Sequence, residues 1–233
     1  MSKNLTPDGK PMRTIRSFVK RKGRMTATQQ DGIAKYWPEF GVDFQSGVLD
    51  LKALFGNDHP VVLEIGFGMG MSLLQMAEEN PELNYLGVEV HTPGVGNLLG
   101  KAHLAGVTNL KVIEHDAIEV LNENIVGGAL AGMQIFFPDP WHKTKHYKRR
   151  LIQEKFVELA ASKIKADGFL HVATDWEHYA VQVLEVLSGC PQLKNKFAGY
   201  APRPASRPLT KFEQRGHRLN HGVWDIYFER DPS

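Results

Sequence analysis

The sequence predicts an α/β fold built around a mostly parallel sheet. Three observations predict it. Apolar runs of strand length alternate with segments of helical spacing from about Pro60 to Ser188. A glycine-rich turn, Gly66 to Gly70, follows the first of those runs. Hydrophobic residues make up 42% of the 233 residues, enough for a sizeable core. That length fits one domain of moderate size with an extension, or at most two small domains.

Taken in order, residues 1–59 fit the alternation poorly and read as a basic, flexible arm with an irregular lead-in. Residues 60–233 read as a single domain. Its strand candidates are 61–65 (VVLEI), 84–90 (NYLGVEV), 110–114 (LKVIE), 133–137 (MQIFF) and 168–174 (GFLHVAT). Strands between helices imply a parallel sheet covered on both faces. Ile152, Phe156, Leu159, Ala160 and Ile164 fit one helix face, which is predicted to stop at Gly168, where glycine suits the left-handed C-terminal position. Ala180, Val183, Leu184 and Leu187 mark a second helix ending before Gly189 and Pro191. "VWDIYFE" (223–229) is a last strand candidate after a basic loop.

Composition excludes several classes. No apolar run is long enough to span a bilayer, and the basic N-terminus lacks a secretory apolar stretch. Cys190 is the only cysteine, so there is no disulfide framework and no cysteine-based zinc site. A reducing, cytosolic compartment is the simplest reading. The ten histidines show no metal-like spacing, and no metal is expected. No exposed apolar stripe stands out, so a monomer is expected. Net charge is only +2, but residues 1–24 hold +7, residues 141–150 hold +5 and residues 201–221 hold +4, leaving −14 elsewhere. An acidic body with three basic segments, each with aromatics or glycines beside the charge, points to a nucleic acid.

The glycine turn reads "EIGFGMG" (64–70). Its spacing, Gly66-x-Gly68-x-Gly70, is not the dinucleotide fingerprint, and no Gly-Lys-Ser/Thr follows for a phosphate loop. Glu64 interrupts an apolar run, where an unpaired carboxylate costs several kcal/mol, an order of magnitude. It would repel a pyrophosphate and welcome a cation, which suits the sulfonium and ammonium of S-adenosylmethionine. Glu89 ends the second strand, where it can accept from ribose hydroxyls. Asp116 follows the third, where it can accept from an adenine amine. Alone, Glu89 could be a solvated strand end and Asp116 a helix N-cap. Acids and glycines at the carboxyl ends of successive strands favour the cofactor reading.

The fourth strand runs into "IFFPDPWHKTKHYKRR" (135–150). Together with "RSFVKRKGRMT" (16–26), "EIGFGMG" (64–70) and "TKFEQRG" (210–216), it resembles the bacterial tRNA (guanine-N7)-methyltransferase family, over nearly the whole chain. The resemblance implies a Rossmann-like class I methyltransferase fold with a seven-stranded sheet and an antiparallel C-terminal strand. It implies methyl transfer from S-adenosylmethionine to N7 of a guanosine in the tRNA variable loop, at position 46. By motif, the cofactor contacts would be Glu64, Gly66, Gly68, Gly70, Glu89, Asp116 and Asp139. Substrate contacts would involve Lys143, Asp175, Thr210, Lys211, Phe212 and Glu213. The RNA segment would be Lys145, His146, Tyr147, Lys148, Arg149 and Arg150.

Neutral guanine N7 has an in-plane lone pair and no proton. Attack on a sulfonium methyl therefore needs alignment rather than a general base. Asp139, the candidate catalytic residue, then reads as an orienter, and Trp141 or Tyr147 could stack on a base. Thr174-x-x-Glu177 and Thr210-x-x-Glu213 also match capping boxes, so Asp175 and Thr210 could be helix-start residues. Two other functions compete. An amine methyltransferase would carry a second proline, but Asp139-Pro140 runs straight into Trp141. A binding-only protein would have no need of the intact Glu64, Gly66, Gly68, Gly70 and Glu89.

Overall fold

The computed structural model describes residues 16–19, 24–205, 207–209, 213 and 222–232. Seven strands form one sheet: β1 (Val61–Ile65), β2 (Asn84–Glu89), β3 (Leu110–Glu114), β4 (Leu130–Phe136), β5 (Ile164–Thr174), β6 (Leu193–Asn195) and β7 (Trp224–Arg230). Their order is β3-β2-β1-β4-β5-β7-β6. The first five run parallel, while β7 is antiparallel to β5 and β6 to β7. The strand order reverses between β1 and β4, and in an open α/β sheet that switch point opens a crevice beyond the strand ends.

Alternation along the strands feeds two cores. Leu63 and Ile65 of β1 face one side, packed with α5 (Ala117–Glu123), α6 (Glu154–Lys163) and α7 (Glu177–Ser188). Val62 faces the other, packed with α3 (Met71–Glu79) and α4 (Thr92–Ala105).

The lead-in, expected to be irregular, contains two helices, α1 (Ala27–Phe40) and α2 (Leu51–Phe55). Thr26 caps α1 by accepting from Gln29 N, and the Gln29 side chain accepts from Thr26 N in return. α1 docks on α4 through glycine. A Cβ on Gly32 would lie 2.0 Å from the Gly96 carbonyl oxygen, and one on Gly96 would lie 2.1 Å from that of Gln29.

The stop expected at Gly168 is corrected. α6 ends at Lys163, and β5 begins at the next residue. The left-handed residue is Asp167, with φ 59°. Gly168 is needed for close approach instead, since a Cβ there would come within 2.7 Å of the Ala131 carbonyl oxygen.

Candidate active site

A cavity of about 230 Å³ opens at the carboxyl ends of β1, β2, β3 and β4. Gly66, Glu89, Asp116 and Asp139 line it, and Ser17 and Phe18 of the N-terminal segment close one side. Gly66, Gly68 and Gly70 all have left-handed φ, 76°, 58° and 76°, which side chains rarely adopt. Nothing lies within 4 Å of a Cβ added at Gly66 or Gly68, so the side a side chain would cover is open, while their N–H groups donate to Val88 O and Glu89 Oε2. Gly70 instead packs tightly against Leu98 of α4.

Glu89 is fixed by the backbone. Its Oε2 accepts from Gly68 N at 2.8 Å, and its Oε1 accepts from Val90 N at 2.6 Å and His91 N at 3.0 Å. A carboxylate has about four acceptor positions, so roughly one is left for a further donor. Asp116 serves as the N-cap of α5, accepting from Ile118 N at 3.0 Å, and also lines the cavity. The N-cap reading of Asp116 thus holds, and the same side chain borders the cavity.

Glu64 does not line the cavity. It points to the α3 face beneath the glycine turn, where Gln134 Nε2 donates to its Oε2 at 3.2 Å. Burial pushes its pKa up to about 8; the Gln134 hydrogen bond opposes this and the Glu89 charge adds to it. At pH 7 the free protein therefore holds Glu64 protonated.

Asp139 is exposed at the cavity mouth. Phe137 and Trp141 flank it at φ 53° and 47°. Left-handed backbone at bulky residues costs about 1–3 kcal/mol each and persists only where the surroundings hold it. Phe137 N donates to Ala173 O at 2.7 Å on one side. Trp141 Nε1 donates to Ser17 O at 3.1 Å, tying the N-terminal segment over the cavity.

A family model described as a putative methyltransferase matches residues 58–226. The tRNA (guanine-N(7)-)-methyltransferase of Pseudoalteromonas translucida (strain TAC 125) is 56% identical over 225 residues, covering 96% of this chain and 93% of that protein. This chain belongs to the tRNA (guanine-N7)-methyltransferase family. The relative of that name from Escherichia coli (strain K12) is 54% identical and covers 99% of this chain and 97% of its own. Among solved structures, the 16S rRNA methyltransferase KamB matches with a TM-score of 0.60 at 15% identity, covering 81% of this chain and 100% of its own. At that identity the likeness concerns the fold, which is the class I methyltransferase fold.

The segment that the tRNA (guanine-N7)-methyltransferase resemblance assigns to RNA forms a 3-10 helix over Thr144–Arg149. Lys143, Lys145 and Lys148 are exposed. The Arg149 guanidinium lies 4.9 Å over the Trp141 ring, so one face of that ring is already covered. Tyr147 is half-buried, tilted against His178. Burial, with the charges of Lys145, Arg149, Lys143 and Lys148, holds His146 below its ordinary pKa. Arg150 requires a correction. It is 2% exposed, with its side chain turned inward, and it presents no charge to the surface.

Asp175 is exposed beyond the end of β5, beside Trp176, which is 40% exposed and meets His142 edge-on at 4.2 Å. The capping box expected at Thr174 is absent. Trp176 is the N-cap of α7 without a side-chain bond, and the Thr174 hydroxyl accepts from Trp176 N. Thr210, Lys211 and Phe212 lie outside the described residues. Glu213, expected at the substrate, lies in the interior at 2% exposure, where Arg207 grips its carboxylate.

Sequence reasoning missed Arg207, His171 and Asp225. Arg207 donates to both Glu213 and Asp225, and His171 Nε2 sits 2.7 Å from Asp225 Oδ1. No spacing rule marks them, because they meet only once β5 and β7 pair. Among the described residues, no group of three or more His, Cys, Asp or Glu could hold a metal, and no helix is long and apolar enough to cross a membrane.

Proposed function

We propose that this protein transfers a methyl group from S-adenosylmethionine to N7 of a guanosine in tRNA, and that the guanosine lies at position 46 of the variable loop. One observation carries the reading. Asp139 stands at the mouth of the cavity that Gly66, Glu89 and Asp116 line, and the exposed cations of 143–148 begin four residues later.

The cavity fits the cofactor by its donor set. Gly66 and Gly68 leave room where side chains would stand, Glu89 offers an acceptor to a ribose hydroxyl, and Asp116 offers one to an adenine amine. S-adenosylmethionine supplies a methyl on a positively charged sulfur. The protein's own residues orient and exclude water. Asp139 accepts from guanine N–H groups or from an ammonium, and holds no proton during the transfer. Ser17 and Phe18 shield the cavity on the arm side. Lys143, Lys145 and Lys148 hold phosphates, which fixes the register of the RNA without reading its bases. Exposed Trp176, next to Asp175, is better placed than Trp141 to stack on a base. In this reading residues 60–233 act as one methyltransferase domain, and residues 1–59 supply the basic arm and the helices that lead into it.

Incubating the purified protein with labelled S-adenosylmethionine and bulk tRNA, followed by nucleoside analysis, tests the reading. Label should appear in 7-methylguanosine and be lost from a tRNA carrying adenosine at position 46. Label in an exocyclic-amine product would favour the amine reaction. A protein that binds tRNA but not the cofactor would favour the binding-only reading.

A further inference from the structure

Arg150 presents a physical problem. Its guanidinium is buried at 2% exposure, and among the described residues no carboxylate pairs with it. Burying a cation without a counter-ion is unfavourable, and arginine does not escape the cost by losing its proton. None of its neighbours is a carboxylate. Nε donates to Pro140 O at 2.7 Å. Nη1 donates to Gln182 Oε1 and lies 3.4 Å from His178 Nδ1. The faces of Tyr147 and Tyr179 lie 3.7 Å and 4.7 Å from the guanidinium carbon. Nη2 has no hydrogen-bond partner among the described residues.

The residue it grips explains the arrangement. Pro140 follows Asp139, between the two left-handed residues Phe137 and Trp141. The Phe137 side of the turn is tied to β5 through Ala173. The Pro140 side is tied to α7 through Arg150 and Gln182, and Gln182 Nε2 in turn donates to Ile152 O. A strained turn bridging two such ties holds its middle residue in place. Arginine's rigid fork can serve Pro140 and Gln182 together, whereas a lysine ammonium at the end of a flexible stem cannot reproduce both.

We infer that Arg150 is a positioning residue for methyl transfer, a buried clamp that fixes the Asp139 turn against α7, and that it touches no phosphate. The inference rests on the methyl-transfer reading above. It separates Arg150 from the exposed Lys145 and Lys148 in the same cationic run.

The test uses the full chain and compares the wild type with Arg150→Lys, Arg150→Met and Gln182→Met. Single-turnover methylation is measured at saturating S-adenosylmethionine and tRNA. Cofactor affinity, tRNA affinity against salt and the unfolding midpoint are measured in parallel. Arg150→Lys should lose about tenfold or more in rate, with cofactor affinity and the salt slope unchanged. Gln182→Met should lose several-fold in the same step. A residue with only a structural role would move the unfolding midpoint and cofactor affinity together with the rate. A salt slope reduced by about 0.7–0.9 in Arg150→Met would mean that Arg150 binds a phosphate and overturn the inference. A wild-type rate in folded Arg150→Lys would overturn it too. Should both Arg150 variants fail to fold, an unchanged rate in Gln182→Met overturns it. Absence of 7-methylguanosine from the wild type overturns the activity reading and this role together, whereas an active wild type matched by Arg150→Lys overturns this role alone.

Discussion

Arg207 closes on Glu213 through two parallel hydrogen bonds of 2.7 Å, with both side chains 1% exposed. The same guanidinium reaches Asp225 at 2.7 Å and 2.9 Å. It also lies 5.9 Å from the Phe136 ring and 5.8 Å from the Phe137 ring. One cation thus ties the C-terminal segment to β7 and to the base of the Asp139 turn.

Arg207→Met should therefore destabilise strongly. It takes the guanidinium away from two buried carboxylates, of which Asp225 keeps His171, a loss of about 3–5 kcal/mol. Urea unfolding followed by circular dichroism measures it. A loss below about 1 kcal/mol would mean that water or rearrangement already satisfies Glu213 and Asp225.

Glu64 should make cofactor binding depend on pH. Its raised pKa means that the ligand-free fold favours the protonated form, so that fold loses stability as pH rises from the unfolded value, about 4.5, through the folded value of about 8. A cationic ligand favours the carboxylate and expels the proton. Affinity for S-adenosylmethionine should then rise between pH 6 and about 8, by at most about tenfold per unit, and level off above. Glu64→Gln should flatten that rise and bind more weakly than the wild type at pH 8.5, while tRNA affinity changes little. Calorimetric titration at three pH values tests this, and an identical slope in the mutant would remove Glu64 from the linkage.

The cations of the 3-10 segment should account for salt dependence. Neutralising Lys145, Lys148 and Arg149 together should weaken tRNA binding and lower the log–log salt slope by roughly 0.7 to 0.9 for every phosphate no longer neutralised. Cofactor affinity should stay constant. Filter binding across a salt series reads the slope, and no change would place the phosphates elsewhere.

Asp139→Asn separates an orienter from a base. The amide keeps the shape and one acceptor oxygen. Losing one charge-assisted hydrogen bond costs about 1–3 kcal/mol, or roughly ten- to a hundred-fold in rate. Residual activity should show no new pH dependence between about 6 and 9, where guanine stays neutral. Single-turnover rates across that range decide it. A wild-type rate that climbs tenfold per pH unit, with no product from the amide, would restore a general base.

The strands were legible because burial on both faces leaves runs such as Val61–Ile65 almost wholly apolar. The acids at their ends were legible because a charge bordering such a run needs a reason. α1 left a fainter pattern: Ile33, Tyr36, Trp37 and Phe40 recur at helical spacing and pack on the core, but Gly32 and Pro38 interrupt the run. Its capping pair, Thr26 and Gln29, was a second signal. Arg150 was misread because five cations in ten residues look alike in sequence. Residues three apart in a 3-10 turn fall on one side, and Arg150 accordingly lies over the Tyr147 ring, facing inward. The Arg207 cluster joins residues far apart in the chain and leaves no local pattern.

The crowding around α4 bears on how this molecule could be re-engineered. A Cβ on Gly94 would lie 1.9 Å from the Gly68 carbonyl oxygen, as one on Gly96 would from that of Gln29 at 2.1 Å. Two backbone segments, one from the leading helix and one from the glycine turn, thus rest on a single short stretch with no spare width. Chimeras that exchange the first 40 residues with those of a relative should tolerate the join only when residues 94–96 travel with the graft or already match it. Swaps that ignore this pairing would displace the glycine turn even though no residue of that turn had been altered.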